Sequence, residues 1–356
     1  MKPISRFLLA LILLSAAAVG QTRRKVIIDQ DARGPASTDQ QANLLLIQSP
    51  QTEVLGITVV SGDQWRDEEV AHTLRMLEII GRTDIPVVPG AIFPLVNTRE
   101  DIARWQKLYG KVVYQGAWNP GYRPDPYAIP PLREGNPTTK PAAEDAAHFL
   151  IRMVRLYPHQ VTIYAGGPLT NLALAIAIDP EFPKLAQELV FMGPSINPGR
   201  LDPEFYETPK RGYNCWWDPE AARMVFRAPW AKITVTDEDI SLKTHFTKAM
   251  MAELGKSDAP AAQYVSKYGY EAYMWDEVAA EAWLDPSIIT KEVTVYMDFS
   301  LDRGPSYGDT LVWVPGRNPG LGEQAVHLLV DLDTGKLNQL FMESMTRPTP
   351  GGRKRQ

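Results

Sequence analysis

The stretch Lys25-Val26-Ile27-Ile28-Asp29-Gln30-Asp31 decides how the rest of the chain is to be read. Three consecutive β-branched apolar residues run without a polar break into two carboxylates. Such a run buries both faces of a strand, as in the middle of a parallel sheet, whereas a one-sided strand would alternate. Acids at its end then lie at the carboxyl edge of the sheet, where open α/β folds bind their ligands.

Similar runs recur at 53–60 (EVLGITVV), 85–88, 160–165 (QVTIYA), 188–192 (ELVFM) and 231–235. Helical spacing separates them: Val70, Leu74, Leu77 and Ile80 mark a helix over Arg66–Ile80, and 142–156, 169–178 and 219–226 behave alike. Asp218-Pro219-Glu220 is a good helix start, with an Asp cap, Pro in the first turn and an acid favoured by the dipole. The alternation predicts one α/β domain over 21–346, an open, mostly parallel, Rossmann-like sheet with helices on both faces. Two Pro- and Gly-rich stretches, 116–141 and 194–211, read as long surface loops, a class that often carries function.

Residues 1–20 read as a signal peptide: Lys2 and Arg6, an apolar run over 7–14, then small residues before Gln21. The run is shorter than the ~20 residues a membrane span requires. The expectation is a periplasmic or secreted protein with no stable membrane anchor after cleavage. Residues 347–356 are basic and Gly/Pro-rich and read as a flexible tail. With 37 basic against 42 acidic residues and a net charge of -5, no basic field exists to grip nucleic acid. Cys215 is the only cysteine, so no internal disulfide forms; beside Trp216 and Trp217 it reads as packing.

Asp29, Asp31 and Asp39 fall at the end of the first strand, ahead of a helix over 40–47. Carboxylates so placed repel one another unless a hard cation sits among their oxygens, and calcium takes six to eight. Capping of a turn and a helix accounts for Asp31 and Asp39 equally well. Gly166-Gly167 follows the fourth strand, where glycine lets a ligand approach the backbone, and Asp276 precedes a helix over 278–284. None of His72, His148, His159, His245 and His327 adjoins these acids in sequence, so a His-based acid or a zinc site is not expected.

Taken in order, KVIIDQD, LGITVVSGD, GRTDIPVVPGA, GGPLTNLALA, VFMG, YNCWWDPEAA, WDEVAAEAWLDPS and VDLDTGKLNQLF resemble the inosine-uridine-preferring nucleoside hydrolases across nearly the whole mature chain. The resemblance implies the nucleoside hydrolase fold, a ribonucleoside substrate and a calcium ion held by Asp31, Asp39, Asp276 and the carbonyl of Gly166. It makes Asp31 the general base on a water that attacks the anomeric carbon. Asp29, Thr38, Asp63, Met192 and Asn214 fall at sugar or pocket positions, though a buried Met also serves simply as core filler. Thr38 stands where the family has an Asp, and Gly212 where a Glu meets the 5′ hydroxyl. Trp275 replaces a His that donates a proton to the leaving base. Together with Asp63 in place of Asn it is similar to the purine-specific branch, in which stacking lets solvent protonate the base. Core packing is the alternative for Trp275. Trp105 and Tyr109, four apart on one helix face, are candidates for a second stacking ring or for packing. Relatives of this type form dimers or tetramers, which implies a homo-oligomer.

Overall fold

The computed structural model describes residues 23–112, 114–196 and 210–351. The predicted strands appear as β1 (Arg24–Gln30), β2 (Thr52–Val59), β3 (Val87–Pro89), β4 (Val161–Ala165), β5 (Glu188–Met192) and β6 (Ile233–Thr236). Three more follow: β7 (Ile289–Phe299), β8 (Thr310–Trp313) and β9 (Gln324–Leu332). All join one sheet in the order β3-β2-β1-β4-β5-β6-β9-β7-β8. β1 to β6 and β9 pair in parallel, while β7 runs antiparallel to both β9 and β8. The open, mostly parallel expectation holds, with an antiparallel margin that the apolar pattern did not disclose. In β7 residues 290–294 are exposed and include Lys291 and Glu292, so no continuous apolar run announces the strand.

Consecutive residues of β1 serve opposite cores. Val26 and Ile28 pack with the helices Thr38–Gln48, Arg66–Ile80 and Trp275–Leu284. Ile27 joins Ile163 and Phe191 beneath the helices Ala146–Leu156, Thr170–Ile178 and Pro219–Arg227. Alternating strand side chains thus feed two layers of helices, one per face. The helix Thr38–Gln48 is buried at every position, so it lies inside one layer and shows little amphipathic pattern.

From β1 the order steps to β2 and β3 on one side and to β4, β5 and β6 on the other. The carboxyl ends of β1 and β4 therefore flank the topological switch point, which places Asp31 and Gly166 side by side.

One loop expectation needs correction. Residues 116–141 are not wholly superficial: Trp118, Leu132 and Glu134 are buried, and Glu134 pairs with His72 inside the protein. At the start of the tail Gln48 Nε2 donates to the Arg347 carbonyl at 3.1 Å and Arg82 to that of Pro350 at 3.0 Å. The stretch 1–20 expected to be a signal peptide, the centre of the 194–211 loop and residues 352–356 lie outside the described residues. Among those described, no helix is long and apolar enough to cross a membrane.

Candidate active site at the sheet switch point

Glycines set the floor of the site. A side chain at Gly62 would collide with Asp31 Oδ2, and one at Gly167 would stand 2.7 Å from Asp31 Oδ1. At Gly166 it would meet Gln30 and, at 2.5 Å, Asp276 Oδ1. Only backbone without a Cβ lets carboxylates from distant parts of the chain close on the β4 turn.

The acids are buried and supported mainly by neutral donors. The Asp63 N–H donates to Asp31 Oδ2 at 3.0 Å, and Ser37 Oγ to Asp39 Oδ2 at 2.6 Å. Gln30 Nε2 and Thr38 Oγ1 donate to the Asp276 carboxylate at 3.1 and 3.3 Å. Burial holds Asp31, Asp39 and Asp276 well above the usual carboxylate range. Neighbouring acids push the same way, Asp63 on Asp31, Asp276 on Asp39 and Glu277 on Asp276. The helices Thr38–Gln48 and Trp275–Leu284 both begin here, so their N-terminal dipoles offset part of the repulsion. Among the described residues, no three acid, His or Cys side chains are closed tightly enough to form a complete metal cage by themselves. The donors at hand are carboxylates and the Gly166 carbonyl, an all-oxygen set suited in chemistry to a hard cation.

Above this floor opens a cavity of about 440 Å³ lined by Asp31, Thr38, Asp39, Asp63, Gly166, Met192, Asn214, Trp275 and Asp276. The structure thus gathers nine of the sequence-derived positions. Asn214 Nδ2 donates to the carbonyls of Gly166 at 2.6 Å and Met192 at 3.1 Å, tying the β4 and β5 ends together. Thr38, which stands where a carboxylate is expected, also donates to Glu277 and accepts from the Asp276 N–H at 3.2 Å, joining two helix starts. Gly212 is required by packing, since a Cβ there would run into the Gly193 carbonyl. A glutamate could not replace it without moving that backbone.

Three expected contacts are not made. Asp29 is fully buried and absent from the cavity lining; it accepts from Thr58 at 2.5 Å and Asn171 at 2.8 Å, and burial pushes it up to about 7. It braces the strand end from beneath. Trp105 belongs to an aromatic cluster with Trp118, Trp216 and Trp217, donates to the Gly304 carbonyl at 2.9 Å and lies under the Arg211 guanidinium at 4.4 Å. Tyr109 packs on Trp105 and is 44% exposed, outside the cavity. Their helical spacing signalled packing of one ring on another.

The wall instead uses residues that the sequence had not singled out for the site. Tyr114 and Tyr213 meet edge to face at 4.9 Å, Arg33 reaches Tyr114 Oη at 3.1 Å, and Tyr270, Tyr273 and His245 complete one side. The Arg33 guanidinium lies 3.8 Å from Asp63 and is held well above its usual range by that acid. The available signal was the density of aromatics just before Asp276, in Tyr268 to Trp275.

The sequence profile of the inosine-uridine preferring nucleoside hydrolases matches residues 26–339. A probable uridine nucleosidase 2 of Arabidopsis thaliana is 31% identical over 287 residues, covering 77% of this chain and 81% of that protein. The pyrimidine-specific ribonucleoside hydrolase RihA of Photobacterium profundum is 27% identical, with 81% and 88% covered. Among solved structures, the plant nucleoside hydrolase PpNRh1 superposes with a TM-score of 0.71 at 26% identity over 91% of this chain and 99% of that one. The inosine-guanosine nucleoside hydrolase IG-NH shares the fold, with a TM-score of 0.71 at 20% identity over 91% and 99% of the two chains. With the profile spanning β1 to the last helix, the chain belongs to the inosine-uridine preferring nucleoside hydrolases, a family of N-glycosyl hydrolases.

Proposed function

We propose that this protein hydrolyses the N-glycosidic bond of ribonucleosides, with purines favoured, to give ribose and free base in a calcium-dependent reaction. The observation that carries the reading is that Asp31, Asp39, Asp276 and Gly166 line one cavity at the switch point. When bound there, the cation would engage these oxygens and acidify a water. Asp31, on the floor beside Asp63 N, takes the proton as that water attacks the anomeric carbon. Asp63 and Asn214 face the sugar, and the carboxylates offset positive charge that grows on the ring.

Trp275 supports a purine as the leaving group: it is half-buried, lines the cavity and presents its ring beside Tyr273 at 5.2 Å. Uridine and pyrimidine nucleosides remain in the assay because the relatives named above carry them. Thr38 and Gly212 favour a second reading in which the sugar or N-riboside is a modified one, since both alter the sugar side. Loss of turnover with retained binding is the outcome that would leave a calcium-stabilised binding protein. Export to the periplasm or medium, and assembly as a dimer or tetramer, belong to the same proposal.

The test is release of reducing sugar from inosine, guanosine, adenosine and uridine by the mature chain, with added calcium or with chelator. Turnover that needs calcium and is fastest with a purine supports the reading. Binding without sugar release, or turnover indifferent to chelator, overturns it.

A further inference from the structure

The leaving base must acquire a proton, and the position just before Asp276 carries Trp275, whose indole N–H does not ionise in water. The cavity nevertheless contains an imidazole. His245 is exposed and lines it from a segment 30 residues upstream of Trp275. Its neighbours fix that segment. Thr244 Oγ1 accepts from the Met274 N–H at 2.9 Å, and Phe246 and Ala272 exchange backbone hydrogen bonds of 2.8 and 3.3 Å. Residues 244–246 are thereby stitched on both sides of His245 to the strip that ends in Trp275 and Asp276. The ring stands edge to face on Tyr273 at 5.6 Å, and Tyr273 meets Trp275 at 5.2 Å. An unbroken series of rings runs from the expected stacking surface to an imidazole at the cavity wall.

Resting on the hydrolase reading above, we infer that His245 is the general acid that protonates the departing base, in place of solvent. The balance is simple. Water supplies the hydroxyl to the anomeric carbon and one proton to Asp31, while the electron pair of the C–N bond stays on the base nitrogen. That nitrogen takes a proton from the protonated imidazole of His245, and solvent returns the Asp31 proton to the ring. Stacking on Trp275 aligns the base with the wall on which the imidazole stands. Among the described residues, Tyr273 and Glu271 are titratable groups beside His245, and Lys248 lies beyond Glu271 at 3.2 Å. A hydrogen bond from Lys248 holds Glu271 below the usual carboxylate range, so this neighbour is a carboxylate that Lys248 already pairs.

His245→Gln in the full mature protein, with calcium, tests this against two leaving groups. Inosine and uridine need a proton on the departing nitrogen, whereas 4-nitrophenyl β-D-ribofuranoside releases a stable phenolate that needs none. The expected result is a fall in kcat of about 10²-fold on both nucleosides, an unchanged kcat on the nitrophenyl riboside, and loss of the alkaline decline in the nucleoside pH profile. Equal losses on all three substrates reduce His245 to a positioning role and overturn the inference, as does no loss on any. Wild-type protein that cleaves none of the three overturns the hydrolase reading itself, an outcome visible before any variant is made.

Discussion

On the floor of the cavity Asp31, Asp39 and Asp276 are at most 4% exposed, and neighbouring backbone, hydroxyl or amide groups hold each in place. On the wall Tyr270 is 42% exposed and His245 also faces solvent, both on chain that connects helices. Chemistry on a water demands fixed oxygens, and these are set by the ends of strands and the starts of helices. Choice of leaving group asks only for rings and a proton at roughly the right place, which loops supply and can exchange. On the proposed function, the floor would define the reaction and the wall what is cut from the sugar.

The largest effect is expected at the floor. Asp31→Asn should lower kcat by about 10²- to 10⁴-fold on every nucleoside alike. Because Asp31 is buried among like charges, the neutral isostere should also melt no lower than wild type in chelator. A lower melting temperature there would mean that Asp31 supports the fold as well as the reaction. Next comes the β4 turn: Gly166→Ala should weaken calcium binding by about 10- to 100-fold, measured by calorimetry, because the added carbon displaces Gln30 and Asp276. Unaltered affinity would separate the turn from the cation.

On the wall, Trp275→Ala should raise KM for inosine by about 5- to 100-fold and for uridine by less, the worth of one base stacked on a ring. Equal changes for the two nucleosides would remove Trp275 from base selection. The smallest effect on turnover is expected behind the wall. Trp105→Ala should cost about 3–5 kcal/mol of stability by emptying an aromatic cluster, with kcat/KM nearly unchanged in the protein that remains folded. A selective loss on purines would restore Trp105 to the pocket.

The same contrast explains what the sequence disclosed. β1 and its acids were legible because the signal is local: a buried strand is an uninterrupted apolar run, and Asp31 follows it directly. Asp39, Gly166 and Asp276 each sit at a junction between elements, so their order along the chain carried the site. What Thr38 holds together was not legible because its partners, Asp276 and Glu277, lie 238 and 239 residues away. His245 was illegible for the same reason, since its place in the cavity depends on the backbone bridge between Phe246 and Ala272. Trp105 and Tyr109 misled because a spacing of four reports contact between two rings and says nothing of what else they touch. β7 escaped notice because exposed charges interrupt its apolar pattern at the margin of the sheet.

The bond from Gln30 to Asp276 spans 246 residues, and β9 enters the sheet between β6 and β7, both made before it. Pairings this remote in sequence form late, after the loop-closure entropy of the intervening chain has been overcome. During synthesis the amino-terminal strands emerge first, so an unfinished polypeptide carries Asp31 without its counterpart and remains chemically mute. Truncation upstream of Asp276 should therefore yield no weakened enzyme at all, only a chain whose first half still awaits the end that completes it.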